Sequence, residues 1–286
     1  MENIKKDTFP PQHQSRQPGK ESEMNPAPVF DDKNYKAAGK LAGRAAVITG
    51  GDSGIGRAVA IAYAKEGADV AIVHLNENDD ARETQRSVIG YGTRCLSISA
   101  DLKAEKESQN VLDKVIQEFG RIDILVNNAG VQYPQNSISD ITKDQMIHTF
   151  ESNFFSFFYM TKAALPHLPK GGCVINTASV TAFEGNETLI DYSSSKGAIV
   201  SFTRSMALSL VTREIRVNAV APGPVWTPLV VAGLSAEGVK TFGSTTPMRR
   251  AAQPCELAPV YVFLANSDSS YISGQVIHVN GGKVIN

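Results

Sequence analysis

Short uninterrupted apolar runs alternate along most of the chain with longer stretches in which apolar side chains recur every three or four residues. The short runs are Arg44–Thr49, Asp69–Leu75, Cys95–Ala100, Ile122–Val126, Cys173–Thr177, Ile215–Val220 and Val276–Val279. Their length and lack of polar alternation predict strands buried on both faces. Between them, Gly54–Gly67, Asp79–Tyr91, Glu105–Phe119, Lys143–Leu168, Asp191–Val211 and Glu256–Ala265 carry a helical period. Gly67 and Gly120 close two of these helices. Strand and helix alternate without an internal repeat, which predicts a parallel sheet with helices on both faces. Right-handed crossovers make the fold class α/β, a doubly wound parallel sheet of seven strands in one domain over residues 43–286.

Residues 1–42 differ. They hold Pro10, Pro11, Pro18, Pro26 and Pro28 among many Gln, Lys and Glu and few aliphatics. This reads as an extended arm without a core of its own. It is either a loose tail or a strap on the body or on a neighbouring subunit, with Met24, Val29, Phe30 and Tyr35 as available anchors. The 286 residues are 42% hydrophobic and 20% charged with a net charge of -1, an ordinary globular composition that gives no reason to expect nucleic acid or an anionic membrane as partner. No apolar run approaches the roughly 20 residues of a membrane span. The start, MENIKKDTFPPQHQ, lacks the apolar centre of a secretory signal. Cys95, Cys173 and Cys255 are scattered, forming neither a disulfide framework nor a metal pattern. A cytoplasmic location fits this chemistry.

The first strand runs into Thr49-Gly-Gly-Asp-Ser-Gly-Ile-Gly56, and a helix follows at once. Gly50, Gly54 and Gly56 permit a tight turn and close approach of a ligand to the backbone. The helix start offers free N–H groups and a positive dipole end to an anion. At the first βα turn that anion is a dinucleotide pyrophosphate, approached by Asp52, Ser53 and Ile55 as well. The end of the second strand chooses between NAD and NADP. There the chain has His74, Leu75 and Asn76, then Glu77, with no clear acid and no arginine. Asp52 would repel a 2′-phosphate, so NAD is the favoured cofactor and NADP the alternative. Asp101, just after the third strand, is positioned for the adenine, beside Leu102; its other reading is a helix cap.

In DYSSSKG, Tyr192 and Lys196 lie one helical turn apart on one face. A cation beside a phenol lowers its pKa and makes it a usable acid or base. The ordered set TGGDSGIG at 49–56, NNAG at 127–130, Asn153, Ser179, YSSSK at 192–196 and PGPVWT at 222–227 resembles the short-chain dehydrogenase/reductase family, over nearly all of residues 43–286. The arm resembles more narrowly that of bacterial stress-associated members described as glucose and ribitol dehydrogenase homologues. The resemblance implies a Rossmann fold and hydride transfer between a nicotinamide cofactor and an alcohol or carbonyl. It implies Tyr192 as general acid/base and Lys196 as the group that lowers its pKa and bonds the nicotinamide ribose. Ser179 would bond the substrate oxygen. The carboxamide of Asn153 would hold a water that links Lys196 to solvent. Asn128, Ala129, Gly130, Thr177, Pro222, Gly223, Val225 and Thr227 would line the cofactor. Ala178 stands where many relatives have a second serine.

The weakly periodic stretch 228–250 reads as a mobile lid over the substrate. Phe242, Met248 and Trp226 are open to either pocket or core roles. Gln132-Tyr133-Pro134 and Glu184-Gly185-Asn186 offer polar groups suited to a polyol or sugar. The resemblance also implies a homotetramer. Rival readings are a catalytically silent nucleotide sensor and an assembly protein.

Overall fold

The computed structural model describes residues 7–284. Residues 1–6 of the arm and the final two positions lie outside the described residues. Seven parallel strands form one sheet: β1 Ala45–Thr49, β2 Asp69–His74, β3 Cys95–Ser99, β4 Ile124–Asn127, β5 Cys173–Thr177, β6 Arg216–Pro222 and β7 Val276–Val279. Their spatial order is β3-β2-β1-β4-β5-β6-β7. The order reverses between β1 and β4, which pair at Ala46↔Ile124 through Ile48↔Val126. In such sheets that reversal opens a crevice at the carboxyl ends of the strands.

The helices are α1 Gly54–Lys65, α2 Asn78–Ile89, α3 Glu105–Phe119, α4 Lys143–Phe150, α5 Ser156–Ala164, α6 Thr181–Glu184, α7 Ile190–Leu210, α8 Pro228–Gly233, α9 Ala236–Lys240 and α10 Ala258–Ala265. Successive strand residues point to opposite faces. Ala46, Ile48, Val70, Ile72, Ile124 and Val126 therefore pack on one side with α1 and α10. Their neighbours Ala45, Val47, Ala71, Val73 and Leu125 pack on the other with α3, α5 and α7. This double burial is why the strands read as continuous apolar runs.

The helix expected over 143–168 is interrupted. Between α4 and α5, Glu151–Phe155 forms a π-helical segment, with Asn153 fully buried inside it. Periodicity cannot register one wide turn, and such turns recur at functional sites. The stretch 228–250 carries α8 and α9.

The arm lies on the body. Thr8 N–H donates to Lys240 O, and Gln14 N–H donates to Val231 O. Phe9 stacks on Trp226 at 3.8 Å, and the indole N–H donates to Pro26 O at 2.8 Å. Met24 is buried in the same cluster, while Val29 stays exposed. Glu21 is deeply buried: its carboxylate accepts from Gly54 N–H at 2.6 Å and pairs with Arg57 at 2.6 Å. The arm is thus a strap rather than a tail, and Trp226 belongs to its seat.

Candidate active site

A cleft of about 500 Å³ opens at the carboxyl ends of the strands. Its floor is the glycine loop between β1 and α1. Gly56 lies beneath that loop rather than in the cleft, and a Cβ there would stand 1.9 Å from Gly50 O. The glycine is needed for close packing of loop on helix, not for contact with a ligand. Gly50, Asp52, Ser53, Gly54 and Ile55 face the cleft. Ser53 occupies the N-cap of α1 without capping it; its hydroxyl donates to Asp52 at 2.9 Å. The cleft therefore combines a tight glycine turn with a helix start that Ser53 does not cap and at which Glu21 takes only the Gly54 N–H, which fits a pyrophosphate beside it. Burial pushes the Asp52 carboxyl up to about 6, with the Ser53 hydroxyl opposing.

The loop after β4 braces this floor. Asn128 and Ala129 N–H groups donate to Thr49 Oγ1 at 2.9 and 3.1 Å. The Asn128 amide donates to the carbonyls of Thr49 and Gly50. Asn127 points the other way, to Thr161 and Asn176 inside the core. Asn128, Ala129, Gly130, Thr177, Pro222, Gly223, Val225 and Thr227 all line the cleft, and so do Asp101 and Leu102. Asp101 pairs with Lys103 at 3.4 Å.

Ser179, Tyr192 and Lys196 meet on one wall, all nearly buried. Ser179 comes from the turn after β5, while Tyr192 and Lys196 share a face of α7. Burial pushes the Tyr192 phenol up to about 12, and the bonded Ser179 hydroxyl pulls it down. Burial pushes Lys196 down to about 7. Its ammonium donates to Thr177 O at 2.8 Å and stands 5.6 Å from the centre of the Tyr192 ring. The expected lowering of the phenol by Lys196 is thus not what the protein alone produces. Desolvation dominates both groups and favours their neutral forms.

Asn153 is held by protein groups on two sides. Its amide donates to Val131 O and Ser195 Oγ, and its Oδ1 accepts from Val131 N–H at 2.8 Å. The carboxamide ties the β4 loop to α7. Gly130 lies between it and Lys196, since a Cβ there would be 3.2 Å from Asn153 Oδ1 and 3.6 Å from Lys196 Nζ.

At the end of β2, His74 and Leu75 line the cleft with Glu77, whereas the exposed Asn76 does not. His74 is buried, with Nδ1 lacking a partner among the described residues. The expectation of NAD rested on the Asp52 carboxylate and on the absence of an arginine here. The arm supplies one: Arg16 donates to Asn76 Oδ1 at 3.2 Å and pairs with Glu77 at 2.5 Å. Gln17, Pro18 and Gly19 line the cleft, and Arg16 stands at its edge through Glu77, which also lines it. No local motif announces these residues, because they act only through the path of the arm.

On the substrate side stand Gln132, Tyr133, Glu184, Asn186 and Phe242, with Lys283 paired to Glu184 at 2.6 Å. Met248 is exposed and does not line the cleft. Sequence reading missed Lys283, which reaches the site from near the C-terminus.

A family model described as enoyl-(acyl carrier protein) reductase matches residues 50–283. The chain is similar to the uncharacterized oxidoreductase YhxC of Bacillus subtilis (strain 168), 58% identical over all of both chains. It is also similar to glucose and ribitol dehydrogenase of Daucus carota, 48% identical over 97% of this chain and 98% of the other. A short-chain dehydrogenase from Burkholderia cenocepacia J2315, solved in complex with NADP, superposes with a TM-score of 0.80 at 30% identity, covering 85% of this chain and 99% of that one. That neighbour lends the NAD preference no support. The same described residues contain no helix long and apolar enough to cross a membrane. The chain belongs to the short-chain dehydrogenase/reductase family and is an oxidoreductase that works with a nicotinamide cofactor.

Proposed function

We propose that the protein interconverts an alcohol and a carbonyl compound of the polyol or sugar class, with Tyr192 as the acid/base. The observation that carries this is the convergence of Ser179, Tyr192 and Lys196 on one wall of the cleft, next to the glycine loop. Bound there, the nicotinamide supplies or takes up a hydride. Tyr192 gives its phenolic proton to the carbonyl oxygen in reduction and takes it back in oxidation. A phenol held near 12 is fully protonated at neutral pH, the state that reduction needs. Ser179 bonds the same oxygen and stabilises charge building there. Lys196 holds the ribose, and its charge, once restored by bound groups, draws the phenol down. Asn153 is a positioning residue that locks the β4 loop against α7.

The glycine loop, the β4 loop and the Pro222–Thr227 segment would hold the dinucleotide. Polar groups of Gln132, Tyr133, Asn186 and the Glu184–Lys283 pair favour a hydroxylated substrate over an acyl chain. The carrot relative's name points the same way. A homotetramer is supported by an unpartnered apolar surface on α4, α5 and α7, where Met146, Ile147, Phe158 and Leu208 are exposed. The test is a panel of polyols, aldoses, aldehydes and simple secondary alcohols, each assayed with both nucleotides. Polyol or sugar turnover, with simple secondary alcohols poor, supports the substrate class. Preference for simple apolar alcohols contradicts it.

A further inference from the structure

We infer that the arm completes the nucleotide site, and that Arg16 is the residue that lets it accept a phosphorylated adenosine ribose. The inference rests on the nicotinamide dinucleotide reading of the cleft. Its starting point is a charge problem at the end of β2. Two carboxylates face that corner, Asp52 and Glu77, and both are nearly buried. An acid there suits a ribose diol and opposes a 2′-phosphate. Within the sheet and its helices, no basic side chain bonds Glu77.

Arg16 changes the balance from outside the fold. Its guanidinium pairs with Glu77 Oε1 at 2.5 Å and also donates to Asn76. The other Glu77 oxygen accepts from Asn76 N–H at 3.2 Å. Both carboxylate oxygens are thus engaged, and the Glu77 charge is neutralised where a ribose would meet it. The Arg16 side chain is 37% exposed and both of its bonds leave from Nη2, so donors remain for a phosphate, whose geometry a guanidinium matches.

The arm holds Arg16 firmly enough for this role. Gln17 bonds the Gln132 backbone in both directions, donating to its carbonyl and accepting from its N–H. Gly19 fits beneath Pro228, where a Cβ would stand 2.8 Å from the carbonyl. Glu21 is fixed by Gly54 and Arg57. Residues 16–21 therefore run from the end of β2 at Arg16, past the β4 loop at Gln17 and Pro228 at Gly19, back to the start of α1 at Glu21.

The test is direct binding of NADPH and NADH to the full chain, by nicotinamide fluorescence, for wild type, Arg16→Gln and Arg16→Lys. Emission of Trp226, which the arm seats, reports whether the arm stays docked. We expect Arg16→Gln to weaken NADPH by about tenfold or more, equivalent to about 1.4 kcal/mol. NADH should change by less than about threefold, and Arg16→Lys should recover part of the NADPH affinity through its point charge. NADPH affinity should fall faster with salt than NADH affinity in wild type, and equally in Arg16→Gln. Equal weakening of both nucleotides, or no change in either, overturns the inference. Wild type binding neither nucleotide would instead sink the dinucleotide reading itself.

Discussion

Tyr192 and Lys196 are driven toward neutrality by the same burial, the phenol up to about 12 and the amine down to about 7. The effect on Lys196 has a definite sign in stability. Its ordinary value is 10.5, so between about 7 and 10.5 the unfolded chain binds the proton and the folded chain does not. The folded state therefore gains on the unfolded as pH rises through that window, and loses that gain as pH falls back to 7. Urea midpoints from pH 7 to 9.5 should rise in wild type relative to Lys196→Met. Parallel curves for the two would show that Lys196 keeps its ordinary pKa in the fold. Asn153 teaches a different point at this scale. Its position was legible, but its partners were not, because the π-helical turn that aims it leaves no periodic trace.

Among the elements, the arm carries most of what the sequence concealed. The five inner strands were legible because they are buried on both faces and read as continuous runs, and the half-buried edge strands β3 and β7 because they repeat the alternation with helices. The Tyr192, Lys196 and Ser179 set was legible because family motifs carry it. Arg16 and Glu21 were not, since a proline-rich stretch without periodicity gives no hint of where it lies. Glu21 is the arm's deepest anchor. Burial pushes its carboxyl up to about 7, against the pull of Arg57 and the Gly54 N–H. Glu21→Ala would leave Arg57 buried without that partner, and such losses cost roughly 3–5 kcal/mol. At ~2–4 °C per kcal/mol for a domain of comparable size, Tm should drop by roughly 6 °C or more. The chain's single tryptophan, Trp226, should shift its emission as the arm loosens. An unchanged Tm and emission would mean that the arm docks without Glu21.

For the molecule as a whole, the sheet's reversal point between β1 and β4 puts the glycine loop, the α7 pair and the arm around one cleft. The outer surface of α4, α5 and α7 presents Met146, Ile147, Phe158 and Leu208. The proposed homotetramer predicts an assembly of about four chains in sedimentation, and Phe158→Glu with Leu208→Glu should reduce it. A wild-type monomer would remove this part of the account. The central claim remains that Tyr192 moves the proton. NADPH or NADH consumption with an accepted carbonyl substrate, compared between wild type and Tyr192→Phe, tests it most directly. We expect turnover to fall by roughly 10²–10⁴-fold, the range of a lost general acid, with nucleotide affinity within about threefold. Retained turnover in Tyr192→Phe would contradict the account.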